Sequence, residues 1–174
     1  MADTKLSLYE IECALAESRK FDYIRNLVVF NVKGQSEILP LHHECDMLVC
    51  SKAGYLTEVE IKRSWSDFVA DFNKRHDHSS ELIKYFYYAV PVALKEKVNE
   101  YLQGKRKCGI ITYTEDGWID EYRFCPILSY KKIFLEQKLE MARLGCLRVI
   151  GLKQKITELR NGKNTGNQRT TEES

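Results

Sequence analysis

Asp46, Glu60 and Lys62 stand on either side of a short turn, in His42-His43-Glu44-Cys45-Asp46-Met47-Leu48-Val49-Cys50, Ser51-Lys52-Ala53-Gly54 and Tyr55-Leu56-Thr57-Glu58-Val59-Glu60-Ile61-Lys62. Both flanks read as strands: short, rich in apolar and β-branched residues, and bounded by turn-formers. The second alternates, with Glu58, Glu60 and Lys62 on one face and Val59 and Ile61 on the other. A three-residue loop, Lys52-Ala53-Gly54, with Gly54 in the left-handed conformation, pairs Ser51 with Tyr55. That register sets Asp46 opposite Glu60, Glu44 opposite Lys62, Met47 opposite Val59 and Cys45 opposite Ile61. One face is then charged and the other apolar. Two carboxylates facing each other across a strand pair repel unless a cation or a shared proton relieves them. A hard divalent ion, which takes oxygen ligands, is the expected relief. Without metal, asparagine at 46 or glutamine at 60 is expected to stabilise the fold slightly, because it removes that opposition.

The elements around the hairpin follow from capping and periodicity. Ser7 and Glu10 form a capping box that opens a first helix, with Leu6 and Ile11 as its hydrophobic staple. Leu8, Ile11 and Leu15 make the buried stripe, and Glu12 borders it. Asn26 to Val32 reads as a strand, and Gly34 to Pro40 as a loop or short edge. Ser64 and Asp67 form a second capping box, opening a helix to about Arg75 with Trp65, Phe68, Val69 and Phe72 on its apolar face. Arg75 to Lys84 is polar and reads as a loop, so His76 and His78 are surface residues rather than ligands. Tyr85 to Val90 is a strand running into Pro91, which suits the first turn of a helix continuing to Leu102. Gly109 to Tyr113 is a strand, and Trp118 to Phe124 its hairpin partner. From Lys132 to about Leu159 the pattern is helical, with breaks expected near Gly145 or Gly151.

An aspartate on one strand followed by Glu-x-Lys on the next resembles the PD-(D/E)XK phosphodiesterase superfamily, the nucleases with a restriction-endonuclease-like core. Cys45 stands where the family's name has proline. The order helix, three strands, helix, strand is that family's core order, and the likeness covers residues 5 to 113. The Tyr85-to-Pro91 strand after Glu58-x-Glu60-x-Lys62 resembles a phage and bacterial subgroup. The resemblance implies an α/β fold, a mixed sheet flanked by helices. It implies a Mg2+- or Mn2+-dependent nuclease that cuts DNA, with RNA as the alternative, in repair, recombination or phage DNA processing. Asp46 and Glu60 are its expected metal ligands, the Ile61 carbonyl is a third, and Glu12 adds an acid from the first helix. Lys62 holds or deprotonates the attacking water, or stabilises the charged phosphate, and a lowered pKa beside the metal suits that work.

Three readings compete with catalysis. Glu44, Glu58, Glu60 and Lys62 also suit a solvated sheet face with a Glu44–Lys62 ion pair, and Glu12 suits an exposed helix position. The fold can serve as a binding module for nucleic acid or a partner, without chemistry. A small structural protein of a phage or mobile element is the third.

Composition bounds the rest. At 174 residues the chain is expected to form one domain over 1–160, with a core at 5–113, a helical extension at 131–160 and a disordered tail at 161–174. From Lys131 onward ten bases face five acids, a local charge of +5 against +2 for the whole chain. That third is suited to phosphates, or to the charged outer face of a helical layer. The six cysteines are scattered, with no Cys-x-x-Cys pair and no Cys–His zinc spacing, as in buried reduced thiols. No signal peptide and no membrane-spanning apolar run is evident, so the expected location is the cytoplasm of a bacterium or a phage-infected host. A homodimer is compatible with the sequence.

Overall fold

The computed structural model describes residues 6–35, 37–72 and 80–168. Six strands form one sheet in sequence order: β1 (Leu27–Gln35), β2 (Pro40–Cys50), β3 (Leu56–Ile61), β4 (Ile83–Pro91), β5 (Gly109–Tyr113) and β6 (Ile119–Arg123). The first three are antiparallel neighbours, β3–β4 and β4–β5 are parallel, and β5–β6 is an antiparallel hairpin. Parallel neighbours need a crossover, and helices supply both. α2 (Trp65–Phe72) joins β3 to β4, and α3 (Lys95–Leu102), preceded by a 3₁₀ turn over Val92–Leu94, joins β4 to β5. The fold is therefore α/β, a mixed sheet flanked by helices.

The two faces of the sheet carry two cores. α1 (Leu8–Glu17) covers one, where Ile11, Leu15 and Phe21 pack with Met47, Val59, Ile61 and Tyr87. α2, α3 and α4 (Leu135–Gln168) cover the other, through Phe68, Val98, Leu102 and Met141 against Leu48, Phe86, Tyr88 and Val90. The α1 start is the predicted capping box: the Glu10 amide donates to Ser7 Oγ, and Glu10 accepts from the Ser7 amide at 2.7 Å. At α2 the Asp67 amide donates to Ser64 Oγ, and the Asp67 carboxylate accepts from the amide of Arg63, one residue earlier than a capping box requires.

Four boundaries differ from the sequence reading. β1 runs on to Gln35, into the first two residues of the segment read as a loop or short edge. Pro91 ends β4 rather than opening a helix, and the turn after it is 3₁₀ before α3 begins at Lys95. α4 is unbroken at both glycines. Gly145 sits where α4 presses on β1: a Cβ there would lie 2.7 Å from Val29 Cγ1, so close packing rather than a helix break explains the glycine. α4 also runs to Gln168, past the expected end near Leu159. Residues 73–79, which hold His76 and His78, and residues 169–174 lie outside the described residues.

Candidate active site

The β2–β3 hairpin has the predicted loop and register. Gly54 is left-handed at φ +89°, the Gly54 amide donates to the Ser51 carbonyl at 2.9 Å, and the Ser51 amide to the Tyr55 carbonyl at 3.0 Å. Gly54 is needed for a second reason: an added Cβ would meet the Ile133 carbonyl oxygen at 3.0 Å, where the chain docks just before α4. Pairing runs from Cys50↔Leu56 to Met47↔Val59, and the ladder stops there. Beyond it Asp46 takes over the role of the partner strand. Its Oδ2 accepts the backbone amide of Ile61 at 2.8 Å. A strand residue's N–H and C=O leave on the same side, so the Ile61 carbonyl also faces Asp46.

Asp46 also marks a break in alternation. Asn31 on β1, which lies between the pairs Phe30↔Met47 and Val32↔Cys45, has φ +50°. Met47 packs on the α1 side, whereas Cys45 packs on the opposite side with Val32 and Leu48. The expectation that Cys45 shares a face with Met47 and Ile61 is therefore corrected: a left-handed residue resets the side-chain period of two. The same kink turns Asn31 toward α1, where its Nδ2 donates to Glu12 Oε1 at 2.7 Å.

The charged face of β3 is the interior of the protein. Glu58, Glu60 and Lys62 are 0 %, 2 % and 3 % exposed, which excludes a solvated sheet face. Charges so deep must be paired. Lys62 Nζ meets Glu60 Oε2 at 3.0 Å and Asp71 Oδ1 at 3.1 Å. Asp71, on α2, accepts from the Tyr88 hydroxyl at 2.7 Å and lies 3.5 Å from Arg106 Nη1, which also donates to that hydroxyl. Tyr113 donates to the Lys62 carbonyl at 3.2 Å. Glu44 is exposed, and Lys62 turns inward to Glu60 and Asp71 instead of pairing with it.

The electrostatics follow from this burial. Loss of water works against the Lys62 ammonium, but Glu60 and Asp71, with Asp46 behind them, hold its pKa above the ordinary lysine value. The lowered pKa expected beside a metal is not the metal-free condition, because its charged neighbours there are carboxylates. Glu12 is buried, not exposed. Burial raises its pKa, Asn31 opposes the rise, Asp46 adds to it and Arg148 of α4 opposes it. Asp46 thus lies within electrostatic reach of both Glu12 and Lys62, and Lys62 bonds Glu60, but among the described residues Glu12, Asp46 and Glu60 do not bring their carboxylate oxygens within 4.8 Å of one another as one ligand group. A cleft of about 540 Å³ between α1, β1 and α4 reaches Glu12, Asn31 and Arg148, and is otherwise lined almost wholly by apolar side chains such as Val29 and Phe30.

Sequence reasoning missed Asp71, Tyr88 and Arg106. Asp71 follows Phe68 by three residues, so it shares the inward side of α2, and a carboxylate there was the available signal. It also missed a second group on the same face of β3. His43 Nε2 lies 2.7 Å from Glu58 Oε1 and 3.5 Å from Cys45 Sγ. Burial, then Glu58, Glu60, Asp46 and Glu44, push the Cys45 thiol well above its usual pKa. No Cys–His zinc spacing announced this group, because its third member comes from the neighbouring strand.

No protein-family model and no curated protein matches the sequence. Among solved structures, the chain is similar to the SPO1766 protein of unknown function from Silicibacter pomeroyi, at 13 % identity and a TM-score of 0.53, over 94 % of each chain. At that identity the likeness concerns the fold alone.

Proposed function

We propose that the protein is a metal-dependent phosphodiesterase of the PD-(D/E)XK type that hydrolyses DNA, with a restriction-endonuclease-like core in which Asp46, Glu60 and Lys62 do the work. One observation carries this reading. The Lys62 ammonium is fixed between Glu60 and Asp71, within electrostatic reach of Asp46, which in turn influences Glu12. In this reading Asp46, Glu60 and the Ile61 carbonyl, which faces Asp46, would supply the hard oxygen donors that Mg2+ or Mn2+ takes. Such an ion neutralises phosphate charge and acidifies a bound water. The chain's own groups supply the remainder. Lys62 orients the water or meets the charged phosphate, and Asp71, tied to Tyr88 and Arg106, positions Lys62. Glu12 would help hold such an ion, and Arg148 offers a cation where the cleft opens.

A binding module without catalysis is favoured by a different observation. Lys62 and Arg106 balance Glu60 and Asp71 in the interior without metal. In that reading the bases of α4 contact phosphates, and binding is salt-sensitive. Calorimetric titration of Mn2+ into the wild type, Asp46→Ala and Lys62→Ala separates the two. The enzyme reading expects binding in the wild type, binding largely kept in Lys62→Ala, and binding lost in Asp46→Ala. No heat of binding in the wild type, with DNA affinity unchanged in Asp46→Ala, supports the module.

A further inference from the structure

We propose that His43, Cys45 and Glu58 form a second metal site, for a zinc-class divalent ion, distinct from the magnesium-type site at Asp46 and Glu60. The three ligand atoms, an imidazole nitrogen, a thiol sulfur and a carboxylate oxygen, all lie within 4.8 Å of one another. The side chains are 8 %, 0 % and 0 % exposed. Their placement follows from the backbone. His43 and Cys45 are two apart on β2, beyond the kink at Asp46, and point to the face onto which Glu58 of β3 projects.

The donor types choose the ion. Nitrogen and sulfur donors beside one carboxylate suit Zn2+ or Co2+, whereas Mg2+ requires oxygen ligands and near-octahedral geometry. Metal–ligand bonds of about 2.0–2.3 Å in a tetrahedron separate neighbouring ligands by about 3.3–3.8 Å. The Cys45–His43 separation of 3.5 Å already falls in that range. The His43–Glu58 contact of 2.7 Å has to open by roughly half an ångström, within reach of small side-chain rotations. Binding releases the Cys45 thiol proton to solvent and moves the proton of the His43–Glu58 hydrogen bond to His43 Nδ1 or to solvent, so that neutral imidazole donates the Nε2 lone pair, Cys45 binds as thiolate and Glu58 as carboxylate. Water, or one further group, fills the fourth position.

Cobalt provides the test, because Co2+ bound by a thiolate shows a sulfur-to-metal charge-transfer band in the near ultraviolet. Full-length protein, cleared of metal and reduced, is titrated with Co2+, followed by Zn2+. The expected result is a band saturating at about one Co2+ per chain and bleached by an equivalent of Zn2+. The band is expected to vanish in Cys45→Ser and to persist in the double variant Cys13→Ser/Cys146→Ser, which removes the two exposed cysteines. Should Cys45→Ser fail to fold, Glu58→Gln serves instead, with cobalt affinity expected to fall at least tenfold. No band in the wild type, a band surviving Cys45→Ser, or undiminished affinity in Glu58→Gln overturns the proposal. None of these readouts depends on DNA cleavage, so this site and the phosphodiesterase reading stand or fall separately.

Discussion

Lys62 decides the charge balance of the hairpin end. It is almost out of water and meets two carboxylates, Glu60 and Asp71. Breaking a buried pair costs on the order of 3–5 kcal/mol, because the remaining charge stays buried. Here one acid remains after either substitution, so Glu60→Gln and Asp71→Asn are each expected to lower the unfolding free energy by about 2–4 kcal/mol. The opposed-carboxylate register by itself gave Glu60→Gln the other sign, and the salt bridge to Lys62 is what reverses it. Urea denaturation in chelator at neutral pH measures this. Midpoints equal to or above wild type in both variants would show that Lys62 is not held by these acids.

Glu12 bears on the same balance through pH. Its folded pKa is raised, chiefly by burial, so its ionised form costs stability at neutral pH. That cost is released as pH falls through the folded value and is absent below the unfolded value of about 4.3. Glu12→Gln, which keeps an acceptor for Asn31, is therefore expected to melt higher than wild type at pH 7 and level with it near pH 4. Melting curves with an equal offset at both values would assign the change to packing instead of charge.

Among the elements, the β2–β3 hairpin was legible because its signals are local. Gly54 needs a left-handed turn, and the loop length fixes which residues pair. The flip at Asn31 and Asp46 was not legible, since asparagine in a strand pattern carries no mark of a positive φ until its bond to Glu12 is known. The burial of Glu58, Glu60 and Lys62 was hidden for a related reason: their partners Asp71 and His43 come from a later helix and from beyond the kink. α4 was misread through its glycines, whose intrinsic penalty is small beside the packing that holds the helix. The two glycines give opposite expectations. Gly145→Ala forces a Cβ against Val29 and is expected to destabilise by about 1–3 kcal/mol. Gly151 has nothing within 4 Å, and Gly151→Ala is expected to stabilise by up to about 1 kcal/mol. Thermal melts of the two variants check both, and equal shifts would contradict the close approach of α4 to β1.

At the scale of the molecule, the sheet separates two cores, with the charged residues of β3 set into the one covered by α2, α3 and α4. α1 brings Glu12 to the hairpin end from the other face, and α4 brings Arg148 toward it. No helix among the described residues is long and apolar enough to cross a membrane. The sequence pattern carried the element order and the β2–β3 register that sets Met47 opposite Val59. It did not carry the layer in which the charged residues of β3 lie, which depends on which side of the sheet each crossover helix takes.

The measurement that bears most directly on the proposed chemistry is plasmid cleavage by purified protein with Mg2+ or Mn2+, beside the same reaction in EDTA and with Lys62→Ala. The expected result is nicking or linearisation by the wild type that stops in EDTA. In Lys62→Ala, at saturating metal, the rate is expected to fall at least a hundredfold, the lower range for losing a positioned proton-transfer or charge-stabilising group. Cleavage of neither single- nor double-stranded DNA under any metal, or equal cleavage by wild type and Lys62→Ala, would contradict it.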